Sequence, residues 1–350
     1  MNTHAPVTAH TRNATIDVAK GIGILLVVLG HNFWVVDQVA LKSVVYSFHV
    51  PLFIFLAGVF FRPDRSLRLT VARRADALLK PYFITLVALA AFQVFFRGRD
   101  GAELGGGILY GTGATIAWIP LWFLPYLFLL TLGAWLYWRV CGLRQGGAVR
   151  RIAALAVLLV GGVWAMTKIA ASSAVLFGQP IATAGLPWSV GLLPIGGFYF
   201  MLGYYCQAYL MRIRWHTAGA ALALLAFVAL FYFVGATMDL NQNRYDGLFG
   251  STAAALLGIY LALQLAAVLQ QCEPAARALR YVGESSLLLL LLHGIVQAIF
   301  FTKVREDLVG GAVPHAALAY VVGVGVPLLV GEVLKRLPLL EHLLLPRRLS

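Results

Sequence analysis

The chain has 350 residues, of which 61% are hydrophobic and only 12% are charged, and its net charge is +13. This composition excludes an ordinary soluble domain, in which about a quarter of the residues are charged. Because the positive charges fall in short breaks between long apolar runs, a membrane explains them better than nucleic acid does. The sequence therefore predicts a polytopic integral membrane protein with one all-α domain over residues 1–350. Its expected partners include membrane lipids but no nucleic acid.

Ten segments are apolar enough to form membrane-spanning helices, which need about 20 mostly apolar residues each. They cover residues 16–37, 44–61, 81–96, 118–138, 152–171, 189–210, 217–236, 249–270, 285–302 and 315–334. The first segment is too long for a cleaved secretory signal, so we expect it to remain as a helix. A short N-terminal segment, 1–15, precedes these spans, and a tail, 335–350, follows them.

The basic residues are shared unequally between the two sides that these ten spans define. With the N-terminus in the cytoplasm, most lysines and arginines fall in the inner segments, above all in the stretch 62–81. Cytoplasmic segments of membrane proteins carry such an excess. The sequence therefore predicts that both termini face the cytoplasm, together with the basic stretch 62–81, which is expected to be a loop between the second and third spans.

The first span, DVAKGIGILLVVLGH over residues 17–31, carries its polar side chains on one helical face. Lys20 and His31 are separated by close to three helical turns, or about 16 Å, and Asp17 lies on nearly the same face. Polar side chains in hydrocarbon are costly unless they face a partner or a water-filled cavity, so this face should point inward. The structural alternative is an Asp17–Lys20 pair at the interface and a packing histidine.

The second span contains a further histidine, His49, two residues before Pro51. This span runs in the opposite direction to the first, so His49 should lie at a depth similar to that of His31. We expect Pro51 to kink the helix, which is tolerated beside a cavity. Histidine titrates near neutral pH, so two imidazoles at one depth indicate a site that handles protons, although His49 alone would more often be a packing residue.

Six stretches, in order along the chain, together resemble the acyltransferase 3 family of bacterial membrane O-acyltransferases. They are the Asp17, Lys20 and His31 pattern, FHVPLFIFLAGVFF (48–61), RRADALLKPY (73–82), LWFLPYLF (121–128), FYFMLGYY (198–205) and VGESSLLLLLLH (282–293). The second stretch is similar to the branch that includes fucose O-acetylases. Two positions depart from the family: Lys20 stands where arginine is usual, and Ala57 where serine is usual.

This resemblance implies an enzyme of the bacterial inner membrane that transfers an acyl group, commonly acetyl from cytoplasmic acetyl-CoA, to a hydroxyl of a cell-envelope or exported glycan. The acyl-CoA would be a co-substrate, and no permanently bound cofactor is expected. His31 would act as a general base or carry the acyl group transiently, and the sequence leaves both mechanisms open. Lys20, oriented by Asp17, would fix the donor or balance developing charge.

Other candidate residues have a structural explanation beside the functional one. Arg73 and Arg74, in the basic stretch, would bind either the phosphates of coenzyme A or lipid head groups. Trp122 would stack on a sugar, or belong to an aromatic belt or to the packed core. The last three candidates come from the sixth stretch: Glu284 and Ser286 would contact substrate or cap a helix, and His293 would contact substrate or pack.

A transporter or flippase of a lipid-linked glycan is the rival class. Ten helices with histidines inside the membrane would suit it equally well. The absence of repeated halves and the order of the six stretches favour the enzyme. The three cysteines are far apart, and no metal site is expected. The acceptor, the length of the acyl chain and the oligomeric state are not given by the sequence.

Overall fold

A computed structural model describes residues 14–141, 147–168, 171–176 and 179–346, and this part of the chain is predominantly α-helical. The helices are α1 (Ala14–Gly30), α2 (Phe33–Asp37), α3 (Val39–Tyr46), α4 (His49–Val59), α5 (Leu67–Arg74), α6 (Lys80–Arg97), α7 (Gly101–Tyr110), α8 (Phe123–Val140), α9 (Ala148–Lys168), α10 (Leu193–Leu210), α11 (Thr217–Ala229), α12 (Leu248–Leu269), α13 (Glu273–Glu284), α14 (Ser286–Lys303), α15 (Ala312–Leu334) and α16 (Pro338–Leu344). The predicted helical class is thereby confirmed.

Shorter elements connect these helices. Turns of 3-10 helix lie at Ile119–Trp122, Pro187–Leu192, Leu240–Gln242 and Glu306–Val309, and π-helical turns at Ala75–Leu79 and Leu230–Val234. Strand β1 (Ala171–Leu176) pairs antiparallel with β2 (Gln179–Ala184), and β3 (Met238–Asp239) pairs with β4 (Arg244–Tyr245). The sequence did not predict these two hairpins.

Within the described ranges, nine helical stretches are long and apolar enough to cross a membrane. They are Val39–Val59, Leu67–Arg97, Ile119–Val140, Ala148–Lys168, Pro187–Leu210, Thr217–Val234, Leu248–Leu269, Ser286–Lys303 and Ala312–Leu334. Helix α1 has 17 residues. Ten spans and cytoplasmic termini therefore stay predictions. Arg12 in the predicted N-terminal segment, and Arg347 and Arg348 in the predicted tail, lie outside the described residues.

The prediction of one continuous helix over 16–37 was wrong. Helix α1 ends at Gly30, and α2 begins at Phe33. Between them Asn32 has an extended backbone, and its side-chain amide donates to the carbonyl of Ala316, 2.9 Å away. Asparagine readily exchanges helical hydrogen bonds for such side-chain bonds, so the chain leaves the helix directly after His31.

The second predicted span, 44–61, is divided into α3 and α4. A turn at Ser47 and Phe48 separates the two helices, and Pro51 lies in the first turn of α4. A proline there costs little, because the backbone N–H that it lacks would have no partner within the helix. The expected mid-helix kink is therefore a break before His49.

The basic stretch 62–81, described above as a loop, is helical from Leu67 onward, so that description was wrong. The hydroxyl of Ser66 caps α5 by accepting from the backbone N–H of Leu69. From there α5 continues through a π-helical turn into α6. Arginine, leucine and alanine all favour helix, so the high positive charge of this stretch does not oppose a helical structure.

Helix α1 lies in the interior and packs against α4, α12, α13 and α14. Its glycines allow close packing, since a Cβ atom at Gly21 would lie only 2.1 Å from the carbonyl oxygen of Leu279 in α13. Gly23 lies against Phe53, and Gly30 lies against Tyr46. Later residues of α1 thus contact earlier residues of the α3–α4 segment, so α1 and this segment are antiparallel. Small residues permit such approaches between membrane helices.

Candidate active site

A cavity of about 310 Å³ lies between α1, α4, the start of α8, the start of α14 and the 239–241 segment. Six of the ten residues that the sequence singled out line it, namely Lys20, His31, His49, Arg74, Trp122 and Ser286. The other four, Asp17, Arg73, Glu284 and His293, are not part of its wall. The cavity thus brings together residues from the first, second, third, fourth and sixth stretches described above.

One end of the cavity carries positive charge. Lys20 lies in the second turn of α1, about 16 Å along the helix axis from His31. Since α4 is antiparallel to α1, its last turn is also at this end, and Arg74 follows it in α5. Arg74 lines the cavity, together with Pro346 near the C-terminus. We call this the cationic end, and two fixed positive charges there suit an anionic ligand.

Two candidates near the cationic end have other surroundings. Asp17 is buried one turn before Lys20, and its backbone carbonyl packs against Gly283 of α13. Arg73 is half-buried, and its Nε atom is shielded and has no hydrogen-bond partner among the described residues. Lys80 has a structural role, since it pairs with Asp76 at 2.8 Å and donates to the carbonyl of Leu345. Of these basic residues only Arg74 therefore faces the cavity.

His31 and His49 lie toward the other end of the cavity, where their rings flank the ring of Tyr46. The centroid of Tyr46 is 4.9 Å from that of His49 and 6.4 Å from that of His31. Sequence reasoning missed Tyr46, which lies in α3 one helical turn after Lys42 and lines the cavity. The signal available was only an aromatic residue three positions before a histidine, which is common in apolar helices.

The hydrogen bonds of the two histidines fix the chemistry of their rings. Nδ1 of His31 lies 2.8 Å from the carbonyl oxygen of Val27, and Nδ1 of His49 lies 2.8 Å from that of Val45. A carbonyl oxygen can only accept, so Nδ1 carries the hydrogen in both rings. In the neutral form, Nε2 then holds a lone pair that can accept a proton from a substrate.

His293 lies behind His31 and outside the cavity. It is fully buried, and its ring meets that of His31 edge-on at 5.2 Å between centroids. Its Nδ1 lies 2.7 Å from the carbonyl oxygen of Leu289. One turn further along α14, Gln297 donates to the carbonyl of Val28. His293 and Gln297 therefore support the end of α1 that carries His31, and sequence reasoning had not singled out Gln297.

Trp122 is buried in the core, with 4% of its surface exposed, so the aromatic-belt interpretation is wrong. Its ring contacts those of Phe123 and Tyr126, and one side of it lines the cavity. Ser286 is the first residue of α14 and also lines the cavity. Glu284, the last residue of α13, is exposed and lies outside the cavity wall.

The end of the cavity opposite the cationic end is formed by a loop that sequence reasoning missed. Asp239, Leu240 and Asn241 line it, and β3 in this loop packs against α3. Burial raises the pKa of the Asp239 carboxyl above its ordinary value, whereas Lys42 and Arg244 act to lower it. This end, which we call the acidic end, thus presents a carboxylate and an amide close to Tyr46.

Among the described residues, no group of three or more His, Cys, Asp or Glu side chains is placed to hold a metal ion. The polar groups that line the cavity include two cations, two imidazoles, one carboxylate, one side-chain amide and the hydroxyls of Ser286 and Tyr46, beside aromatic rings. Together they offer phosphate binding, proton transfer and hydrogen bonds to hydroxyl groups.

Several apolar helices around an internal cavity with histidines define this chain as a multi-pass membrane protein. Its residues 13–332 match the family profile described as an acyltransferase domain, and the chain therefore belongs to the acyltransferase 3 family. The resemblance inferred from the six stretches is thus confirmed. No solved structure shows a significant match to the chain.

A shorter similarity links the chain to the nodulation protein NolL of Sinorhizobium fredii (strain NBRC 101917 / NGR234). The two are 34% identical over 106 residues, a region that covers 25% of this chain and 28% of that protein. The chain thus matches less than a third of the length of this relative, and the similarity supports the family without extending to a whole protein.

Proposed function

We propose that this protein is an O-acyltransferase that moves an acyl group, in the first instance acetyl, from acyl-CoA to a hydroxyl of a cell-envelope or exported glycan. The observation that carries the proposal is a cavity that has cations at one end and His31 and His49 toward the other. Family membership agrees with it, because residues 13–332 match an acyltransferase domain. The working location would be the inner membrane of a bacterium.

The donor would bind at the cationic end from the cytoplasmic side. Lys20 and Arg74 would hold the phosphates of coenzyme A, since charge-assisted hydrogen bonds to phosphate are the strongest contacts these side chains make. The pantetheine arm would then extend along α1. The distance of about 16 Å between Lys20 and His31 is spanned by an extended arm of this kind, and the thioester would arrive near the histidines.

His31 would act as the general base. Its Nε2 atom removes the proton from the acceptor hydroxyl while that oxygen attacks the thioester carbonyl. When the C–S bond breaks, the coenzyme A thiolate leaves and takes the proton from the imidazolium. The products are the O-acyl ester and free coenzyme A, and no bound cofactor is needed. His293, whose ring contacts that of His31, would be a positioning residue and not a proton acceptor for substrate.

Transfer of label is the test of this function. Purified protein in liposomes is incubated with radiolabelled acetyl-CoA and glycolipid extracted from the cell envelope, beside a His31→Gln variant reconstituted at the same density. We expect label in the glycolipid with the unaltered protein and little with the variant. Movement of glycolipid across the liposome membrane without any label transfer would contradict the proposal and support the transporter.

A further inference from the structure

The acidic end of the cavity has no role in donor binding. A carboxylate at Asp239 would repel the phosphates that Lys20 and Arg74 attract, and it lies toward Tyr46 and the histidines, away from the cationic end. Whatever reaches the histidines from this side must therefore be the second substrate of the proposed reaction. The 239–241 segment is the part of the chain that would meet it first.

Asp239 is held in place by its own loop. Its Oδ1 atom accepts a hydrogen bond from the backbone N–H of Gln242, at 3.2 Å, and so caps the short 3-10 turn. Arg244 is engaged elsewhere, since its guanidinium pairs with Asp246 at 3.1 Å. Lys42 lies over the ring of Tyr46, 5.3 Å from the ring centroid, and does not line the cavity. Among the described residues, the Asp239 carboxylate thus keeps its place through a backbone hydrogen bond and forms no salt bridge with Lys42 or Arg244.

Asn241 adds a second hydrogen-bond acceptor. Within the part of the chain that the structure describes, its Oδ1 atom is buried and has no hydrogen-bond partner. The backbone of Gly113 packs against it so closely that a Cβ atom there would lie 2.1 Å from this oxygen. A buried carbonyl oxygen without a partner costs about 1–3 kcal/mol. Asn241 lines the cavity, so a ligand hydroxyl that reached this side chain would supply the missing donor.

We infer that Asp239 and Asn241 form the acceptor subsite, and that the acceptor is an uncharged sugar offering hydroxyl groups to both side chains. A carboxylate and an amide oxygen both need donors, and a sugar has several hydroxyls on one rigid ring. The ring of Tyr46 lies beside them and provides an apolar surface for the sugar. An acidic sugar would be disfavoured, because its carboxylate would face that of Asp239. The inference rests on the proposed function and names the class of its acceptor.

The design of the test separates this subsite from the capping role of Asp239. Asp239→Asn keeps an oxygen that can cap the turn but removes the charge. Asp100→Asn is the matched control, because Asp100 is an exposed carboxylate that caps α7 through the backbone N–H of Ala102 and does not line the cavity. Purified full-length protein is given acetyl-CoA with p-nitrophenyl glycosides of glucose, galactose or fucose, or with the glucuronide, which differs from the glucoside by its carboxylate.

We expect the unaltered protein to acetylate a neutral glycoside and to disfavour the glucuronide. Asp239→Asn should lower kcat/KM for the neutral sugar about 10- to 100-fold, as the loss of a hydrogen bond to a charged group does, and should bring the glucoside-to-glucuronide ratio toward one. Asp100→Asn should change neither value. Because the ratio is measured within one variant, partial misfolding does not alter it.

Three results would overturn the subsite: a preference for the glucuronide, a ratio in Asp239→Asn equal to that in Asp100→Asn, or hydrolysis of acetyl-CoA without acetylation of any glycoside. A failure of the proposed function looks different. In that case the unaltered protein would neither bind nor hydrolyse acetyl-CoA, whatever sugar is present.

Discussion

The two ends of the cavity are built in different ways. At the cationic end, Lys20 lies in α1, and Arg74 ends α5, which continues through a π-helical turn into α6. At the acidic end, Asp239 and Asn241 belong to a short loop between α11 and α12, held by a two-residue hairpin and one side-chain cap. Helices give the fixed charges that any acyl-CoA would need, whereas a loop can change its residues without disturbing the bundle.

This difference suggests a division of labour under the proposed function. The donor would be the same molecule in every reaction, so its phosphates would meet a rigid surface. The acceptor would vary between related proteins, so its contacts would lie in the segment that tolerates change. His31 and His49 lie between the two, near the junction of α1 with α2 and of α3 with α4.

The comparison requires the cationic end and the acidic end of the cavity to face opposite sides of the membrane. Cysteines introduced at Gln242 and Ala102 should react with a membrane-impermeant thiol reagent in whole cells, and one at Arg68 should react only after lysis. All three side chains are exposed, so burial cannot protect them. Modification of Arg68→Cys in intact cells would reverse the assignment of the cationic end to the cytoplasm.

The largest effect on rate is expected from replacing His31, the proposed general base between the two ends of the cavity. His31→Gln should lower kcat by about 10²- to 10⁴-fold, the usual contribution of general acid–base catalysis. His293→Gln is the comparison, since that ring supports His31 from outside the cavity and its loss should cost less. The assay is normalised to folded protein in the membrane. Folded His31→Gln with near-normal transfer would remove the catalytic assignment and direct attention to His49.

A smaller effect distinguishes two neighbouring arginines at the cationic end. Arg74 lines the cavity and Arg73 does not, so Arg74→Ala should raise the KM for acetyl-CoA about tenfold, within the range of a charge-assisted hydrogen bond. Arg73→Ala should raise it less. Steady-state kinetics with acetyl-CoA as the varied substrate measure both. Equal rises would mean that lining the cavity does not distinguish the two arginines, and an unchanged KM in both variants would assign them to lipid head groups and not to the donor.

Sequence reasoning predicted the helical class and the part of the site that α1 and α4 form. The spacing of Lys20 and His31, and the antiparallel order of the first two spans, sufficed to bring His31 and His49 to one cavity. The break after His31 was not foreseen, because apolar runs on either side conceal a turn in which Asn32 bonds to Ala316. The kink expected at Pro51 is instead a break before His49. The basic stretch was taken as a loop because it separates two apolar runs, whereas a polar segment between two spans can itself be helical.

The acidic end was beyond the reach of the sequence for a different reason. Asp239 and Asn241 lie in a polar loop, and nothing in their spacing relates them to Tyr46 in a segment that is almost two hundred residues away in the chain. Only the packing of β3 against α3 brings them to the cavity. The periodicity of a helix predicts the direction of each side chain, whereas a loop has no such periodicity.

The central claim, that donor and acceptor bind at separate ends of one cavity, is tested most directly by a crossed kinetic measurement on Lys20→Ala and Asp239→Asn. We predict that Lys20→Ala raises the KM for acetyl-CoA about 10- to 100-fold, whereas Lys20→Arg keeps that KM near the value of the unaltered protein. Neither variant should change the KM for the sugar. Asp239→Asn should raise the KM for the sugar and leave that for acetyl-CoA unchanged. If each variant raised both constants by the same factor, the two ends would not be separate subsites and the account would be contradicted.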